Sequence, residues 1–147
     1  MSELIQVPHL LFSPWQHWTA RDRPSQELDV PVDFGLFGLY VLAAADVAPS
    51  QALDIAALPE EVVYIGMSSH VGRRLERFHS AVKRYRTACN DPQCKRLWHT
   101  TWHQGTSNWH SSQRSGIIAA TQVAFYERAL LAMYAARYGR LPKVNIK

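Results

Sequence analysis

The sequence predicts an α/β domain of the α+β type, with a small, mainly antiparallel, three-stranded central sheet flanked by helices. Three observations predict it. Two apolar runs rich in aromatic and β-branched residues, 34–44 (FGLFGLYVLAA) and 61–67 (EVVYIGM), have the character of buried strands. Leu75, Phe78, Val82 and Tyr85 recur at helical spacing and form one apolar stripe. Residues 124–138 (AFYERALLAMYAARY) are strong helix formers, closed by Gly139 and then Pro142. A chain of 147 residues, 47% apolar and 19% charged, can bury one hydrophobic core without staples.

Taken in order, residues 1–33 carry Pro8, Pro14, Pro24 and Pro31, too many for a long helix. They read as an irregular arm that packs through Leu10, Leu11, Phe12, Trp15 and Trp18 on a domain spanning 34–147. The run 34–44 is the first strand and 61–67 the second. Between them, Asp46, Pro49, Ser50, Asp54 and Pro59 mark a loop, so the pair forms a hairpin with a long connection. A helix follows over 70–86, where Arg74 borders the apolar stripe and Arg73 faces away from it. Residues 93–103 suit a short helix, 116–122 (GIIAATQ) a third strand, and 124–138 the last helix.

Charge is unevenly distributed. Residues 1–62 hold two basic and nine acidic residues, a net −7, whereas 63–147 hold fourteen basic and three acidic residues, a net +11. Such a basic segment is the electrostatic footprint of a phosphate-backbone binder, although a solvated basic surface has the same composition. Its three acids are Glu76, Asp91 and Glu127. Glu127 is notable because Leu130, Leu131, Tyr134 and Tyr138 share its face of the last helix. A carboxylate on an apolar face is costly unless a cation meets it, either an arginine or a metal ion.

No apolar stretch is long enough to span a bilayer, and the N-terminus has no secretory pattern. Cys89 and Cys94 are therefore expected as reduced thiols of a cytoplasmic protein. With His99 and His103 they offer zinc-type ligands. Only four residues separate Cys94 from His99, so ordinary buried thiols are the favoured reading. Trp98, Trp102 and Trp109 can stack on bases or fill the core.

In chain order the sequence offers Gly38-Leu39-Tyr40, Tyr64-Ile65-Gly66, Arg74, Glu127 in YERALL, and Asn145 in PKVN. This series, over about residues 34–147, resembles the GIY-YIG nuclease family. The family's first tripeptide has isoleucine where Leu39 stands, while YIG is unaltered. The 23 residues between Tyr40 and Tyr64 are more than the family's short hairpin, and residues 87–114 match no segment of it.

The resemblance implies a metal-dependent endonuclease that hydrolyses phosphodiester bonds in DNA with one Mg²⁺ or Mn²⁺. Glu127 would hold the metal and Arg74 the phosphate. Tyr40 would serve the attacking water, Tyr64 and Asn145 would support the site, and His79 would assist. Arg73, Arg77, Lys83, Arg84 and Lys143 would bind the nucleic acid. The residue types suit this chemistry. A single carboxylate can hold a Mg²⁺ whose other ligands are waters and phosphate oxygens. Arginine matches phosphate with a planar fork, and a phenol favoured as phenolate by nearby cations can act as a base. Singly, each residue also has an ordinary structural use, because strand tyrosines usually belong to a core. A non-cleaving nucleic-acid-binding module with the same fold and a zinc-stabilised interaction domain are the alternatives.

Overall fold

The computed structural model describes residues 10–18, 38–49, 53, 58–68, 80–103 and 114–145. They form a small α+β fold with four antiparallel strands. These are β1 (Gln16–His17), β2 (Gly38–Ala44), β3 (Val62–Ser68) and β4 (Leu97–His103). Two helices accompany them, α1 (Ser80–Ala88) and α2 (Arg114–Tyr138). The sheet order is β1-β4-β2-β3, so β2 lies between β4 and β3.

The expected hairpin is present. Tyr40 pairs with Gly66 and Leu42 with Tyr64. Between Leu42 and Ala43 the register shifts, which leaves Val63 as the extra residue of a bulge. Being central and covered on both faces, β2 is apolar at successive positions rather than at alternate ones.

The strand count and two assignments differ from expectation. Residues 97–103 (LWHTTWH) form the inner strand β4, not part of a helix over 93–103. Aromatic and β-branched residues favour a pleated surface, and β4 pairs with β2 along its whole length. Residues 116–122, expected as a strand, lie within the 25-residue helix α2. Ile117 and Ile118 remain about half exposed, and Val123, Leu130 and Tyr134 carry a buried helical face beyond them. The fourth strand comes from the arm, whose Gln16 pairs with His99. Leu10, Phe12 and Trp18 of that arm are buried and Trp15 is half-buried, but Leu11 is exposed.

The sheet separates two layers of core. On one face Tyr40, Leu42 and Leu97 pack with Ala81, Val82 and Tyr85 of α1 and with Val144. On the other, Leu39, Val41 and Ile65 pack with Val123, Leu130 and Tyr134 of α2 and with Leu10, Phe12, Leu53 and Leu58. Helix α2 ends as its sequence indicates. Gly139 takes a left-handed φ of 74°, and its N–H reaches the Ala135 carbonyl at 2.8 Å. Among the described residues, no helix is long and apolar enough to cross a membrane.

Candidate active site

Four of the residues singled out from the sequence, Tyr40, Tyr64, Glu127 and Asn145, lie on or beside the strand β3. Strand alternation directs the backbone groups of Ile65 and Met67 to its outer edge, where no further strand pairs among the described residues. The C-terminal tail occupies part of that edge. The Val144 N–H donates to the Val63 carbonyl at 2.8 Å. The Asn145 amide then acts as a surrogate strand residue. Its Oδ1 accepts from the Ile65 N–H at 2.9 Å, and its Nδ2 donates to the Ile65 carbonyl at 3.0 Å. Asn145 thus locks the strand that carries the YIG tripeptide.

One step further along, the Met67 N–H acts on the carboxylate of Glu127 and favours its charged form. Glu127 arrives from α2, on the opposite face from the tyrosines, and reaches β3 two residues beyond the Asn145 contact, roughly 6.6 Å along the strand. Its side chain is only 19% exposed, and among the described residues it pairs with Arg128, 3.8 Å away and 82% exposed. Burial pushes its carboxyl above the ordinary value, against the weaker opposing effects of Arg128 and the Met67 N–H.

Tyr40 and Tyr64 lie on the α1 face, with ring centroids 5.6 Å apart and planes inclined at 34°. Both rings pass over Gly66. A Cβ there would fall 2.5 Å from Tyr64 Cε2, 2.8 Å from Tyr40 Cζ and 2.9 Å from Tyr40 Oη. The glycine therefore makes room for the tyrosines, because any side chain there would collide with both rings. Tyr40 is fully buried and Tyr64 is half-buried, so solvent reaches the pair through Tyr64. The Arg84 guanidinium lies 5.9 Å from the centre of the Tyr64 ring, while its Nε donates to the Val144 carbonyl at 3.2 Å.

Four of the five motif segments thus converge on three consecutive residues of β3. Asn145 binds Ile65, the tyrosines cross Gly66, and Glu127 meets Met67. No family model, curated protein or solved structure matches the chain. The fifth segment, with Arg74, lies outside the described residues, as do Arg73, Arg77 and His79. Lys83 and Lys143 are exposed beside Arg84. The place of Arg84 at Tyr64 is a feature the sequence reading missed. Its signal was available, since Arg84 borders the apolar stripe at Tyr85 just as Arg74 borders it at Leu75.

The cysteine–histidine segment has other uses. Cys94 is buried in the α1-side core and its Sγ accepts from Arg86 Nε at 3.4 Å, while Cys89 is half-buried beside the same core. His99 is buried edge-on to Trp18, with centroids 5.6 Å apart. Among the described residues, no group of three or more His, Cys, Asp or Glu side chains could hold a metal ion; the His103 side chain is outside the description. Trp98 donates through Nε1 to the Ala45 carbonyl at 3.0 Å, and Trp102 packs edge-on against Tyr126. These two indoles are used in packing. Asp91 organises the turn after α1. It accepts from Tyr85 Oη at 2.5 Å and from the N–H groups of Lys95 and Arg96, each at 2.9 Å.

Proposed function

We propose that the protein is a metal-dependent endonuclease of the GIY-YIG type, hydrolysing phosphodiester bonds in DNA. The observation that carries this reading is the convergence of Tyr40, Tyr64, Glu127 and Asn145 on residues 65–67. Each has an ordinary structural use by itself, but those separate uses do not require them to gather at residues 65–67, the tyrosines from one face of the sheet and Glu127 from the helix on the other.

The donor set suits a divalent cation. Glu127 is a largely buried carboxylate whose partners among the described residues are one backbone N–H and one exposed arginine. A cation relieves such a group, and Mg²⁺ characteristically takes one or two carboxylates and completes its shell with waters and phosphate oxygens. When bound, the ion would supply charge stabilisation to the phosphate and to the leaving oxygen.

The other roles belong to the chain. Tyr64, whose ring solvent reaches, acts as the phenolate, taking the proton of the attacking water and becoming the neutral phenol. Tyr40, buried behind it, holds the ring in place, which reverses the division of labour the resemblance suggests. Asn145 is a positioning residue, since both ends of its amide are engaged with Ile65. Arg74 binds the scissile phosphate by resemblance, and His79 assists.

The test is plasmid nicking by the full chain with and without Mg²⁺ or Mn²⁺, alongside Glu127→Ala. Metal-dependent nicking that is lost in the variant is the expected outcome. Duplex binding without metal-dependent cutting would instead make the protein a non-cleaving nucleic-acid-binding module.

A further inference from the structure

Beside the candidate site, α1 and the C-terminal tail enclose an open cleft of about 400 Å³, lined by Lys83, Arg84, Thr87, Ala88, Lys143 and Val144. Three of these residues are cationic, one offers a hydroxyl and none is acidic. We infer that this cleft is a subsite for a backbone phosphate of the DNA strand flanking the scissile position, with Lys83 and Lys143 as its phosphate ligands. The inference rests on the nuclease reading for the identity of the strand, but on the cleft's own geometry for the anion.

Two features tie the cleft to the site. The first is its tail wall. Val144 lines the cleft while its N–H holds the Val63 carbonyl, and the next residue, Asn145, is clamped to Ile65. Lys143 is therefore placed two residues from a fixed point on the YIG strand. The second is Arg84. Its Nε is fixed on the Val144 carbonyl, and its guanidinium lies against the Tyr64 ring, so one side chain spans from cleft wall to site tyrosine. A strand lying across Tyr64 toward the tail meets the cleft next. Arg84 is a positioning residue there, and the two lysines, both exposed, carry the charge that meets a phosphate.

Phosphate contacts release counterions, so they are counted by the salt dependence of binding. Each contact adds about 0.9 to the slope of log K against log salt on duplex DNA. A labelled random-sequence duplex would be titrated in EDTA, so that binding is read without cutting, across a salt series. The proteins are wild type, K83A/K143A and the charge-matched control K95A/R137A, all checked for fold by circular dichroism. The expected result is a slope reduced by about 1–2 in K83A/K143A and by well under 1 in the control. Equal loss in both variants, or none in K83A/K143A, overturns the subsite. Inorganic phosphate that competes better than chloride of matched ionic strength would mark a free-phosphate site and likewise overturn it. A reduced slope in a protein that never cuts DNA would leave the subsite standing while the nuclease reading fails.

Discussion

Replacing Glu127 with glutamine distinguishes a carboxylate kept for a bound cation from one neutralised by a buried arginine. Glutamine retains an oxygen for the Met67 N–H and removes the charge. Losing the pair with Arg128, which is 82% exposed, costs at most about 0.5 kcal/mol. Exchanging a charged acceptor for a neutral one at Met67 costs about 1 kcal/mol. Removing a poorly compensated charge from a side chain only 19% exposed recovers about 2–3 kcal/mol. The variant is therefore expected to be more stable than wild type at neutral pH by about 1 kcal/mol, raising Tm by about 2–4 °C for a chain of this size.

The pH dependence has a definite sign. Burial raises the carboxyl above its ordinary 4.5, so the folded state holds this proton more tightly than the unfolded state does. Wild-type stability then falls as pH rises from 4.5 through the raised value, and the advantage of glutamine develops over that window. Urea and thermal denaturation on the acid and neutral sides of it measure both effects. Mg²⁺ at ten times its Kd should add about 1.4 kcal/mol to wild type and little to the variant. Destabilisation by about 3 kcal/mol or more at neutral pH would refute the reasoning, because that is the signature of a broken buried ion pair.

Three further outcomes follow from the same geometry. Gly66→Ala places a methyl 2.5 Å from Tyr64 Cε2 and 2.8 Å from Tyr40 Cζ, and should destabilise by about 1–3 kcal/mol in a urea titration; a change within about 0.5 kcal/mol would show that the rings move freely. Asn145→Ala removes both side-chain hydrogen bonds to Ile65 and should cost about 1–2 kcal/mol, with faster hydrogen exchange at Ile65 as the local readout; unchanged protection there would refute the clamp. Burial alone would push Asp91 up, but the Tyr85 hydroxyl and the Arg96 and Lys95 N–H groups hold it below its ordinary 3.8, so this turn stabilises the fold above that pH and loses its contribution as pH falls through the depressed value. Tyr85→Phe should accordingly cost about 1.5–3 kcal/mol near neutrality and less in acid, and a pH-independent cost would contradict the linkage.

Much of the architecture was legible in the residues because it depends on short-range chemistry. The hairpin of β2 and β3 follows from two apolar, β-branched runs, and the end of α2 from Gly139, whose left-handed φ few other residues adopt. Two segments were misread because local signals there are ambiguous. The run GIIAATQ has β-branched residues that suit a strand, but its isoleucines stay half exposed and the chain continues as one helix. The run LWHTTWH became the inner strand only because β2 offers it a full-length partner, which is a contact between distant parts of the chain.

The sequence by itself determined which side chains could do chemistry: two phenols, a carboxylate on an apolar helix face, a terminal asparagine and a strongly basic second half. Tertiary structure alone decided how they relate. It brought Glu127 near Met67, turned the Asn145 amide into a backbone clamp, and buried Tyr40 while leaving Tyr64 in reach of water. The physical reason is that residue type sets what a group can bond, whereas burial and partners depend on which distant strand or helix packs beside it. A one-dimensional pattern carries the first directly and the second only through the fold.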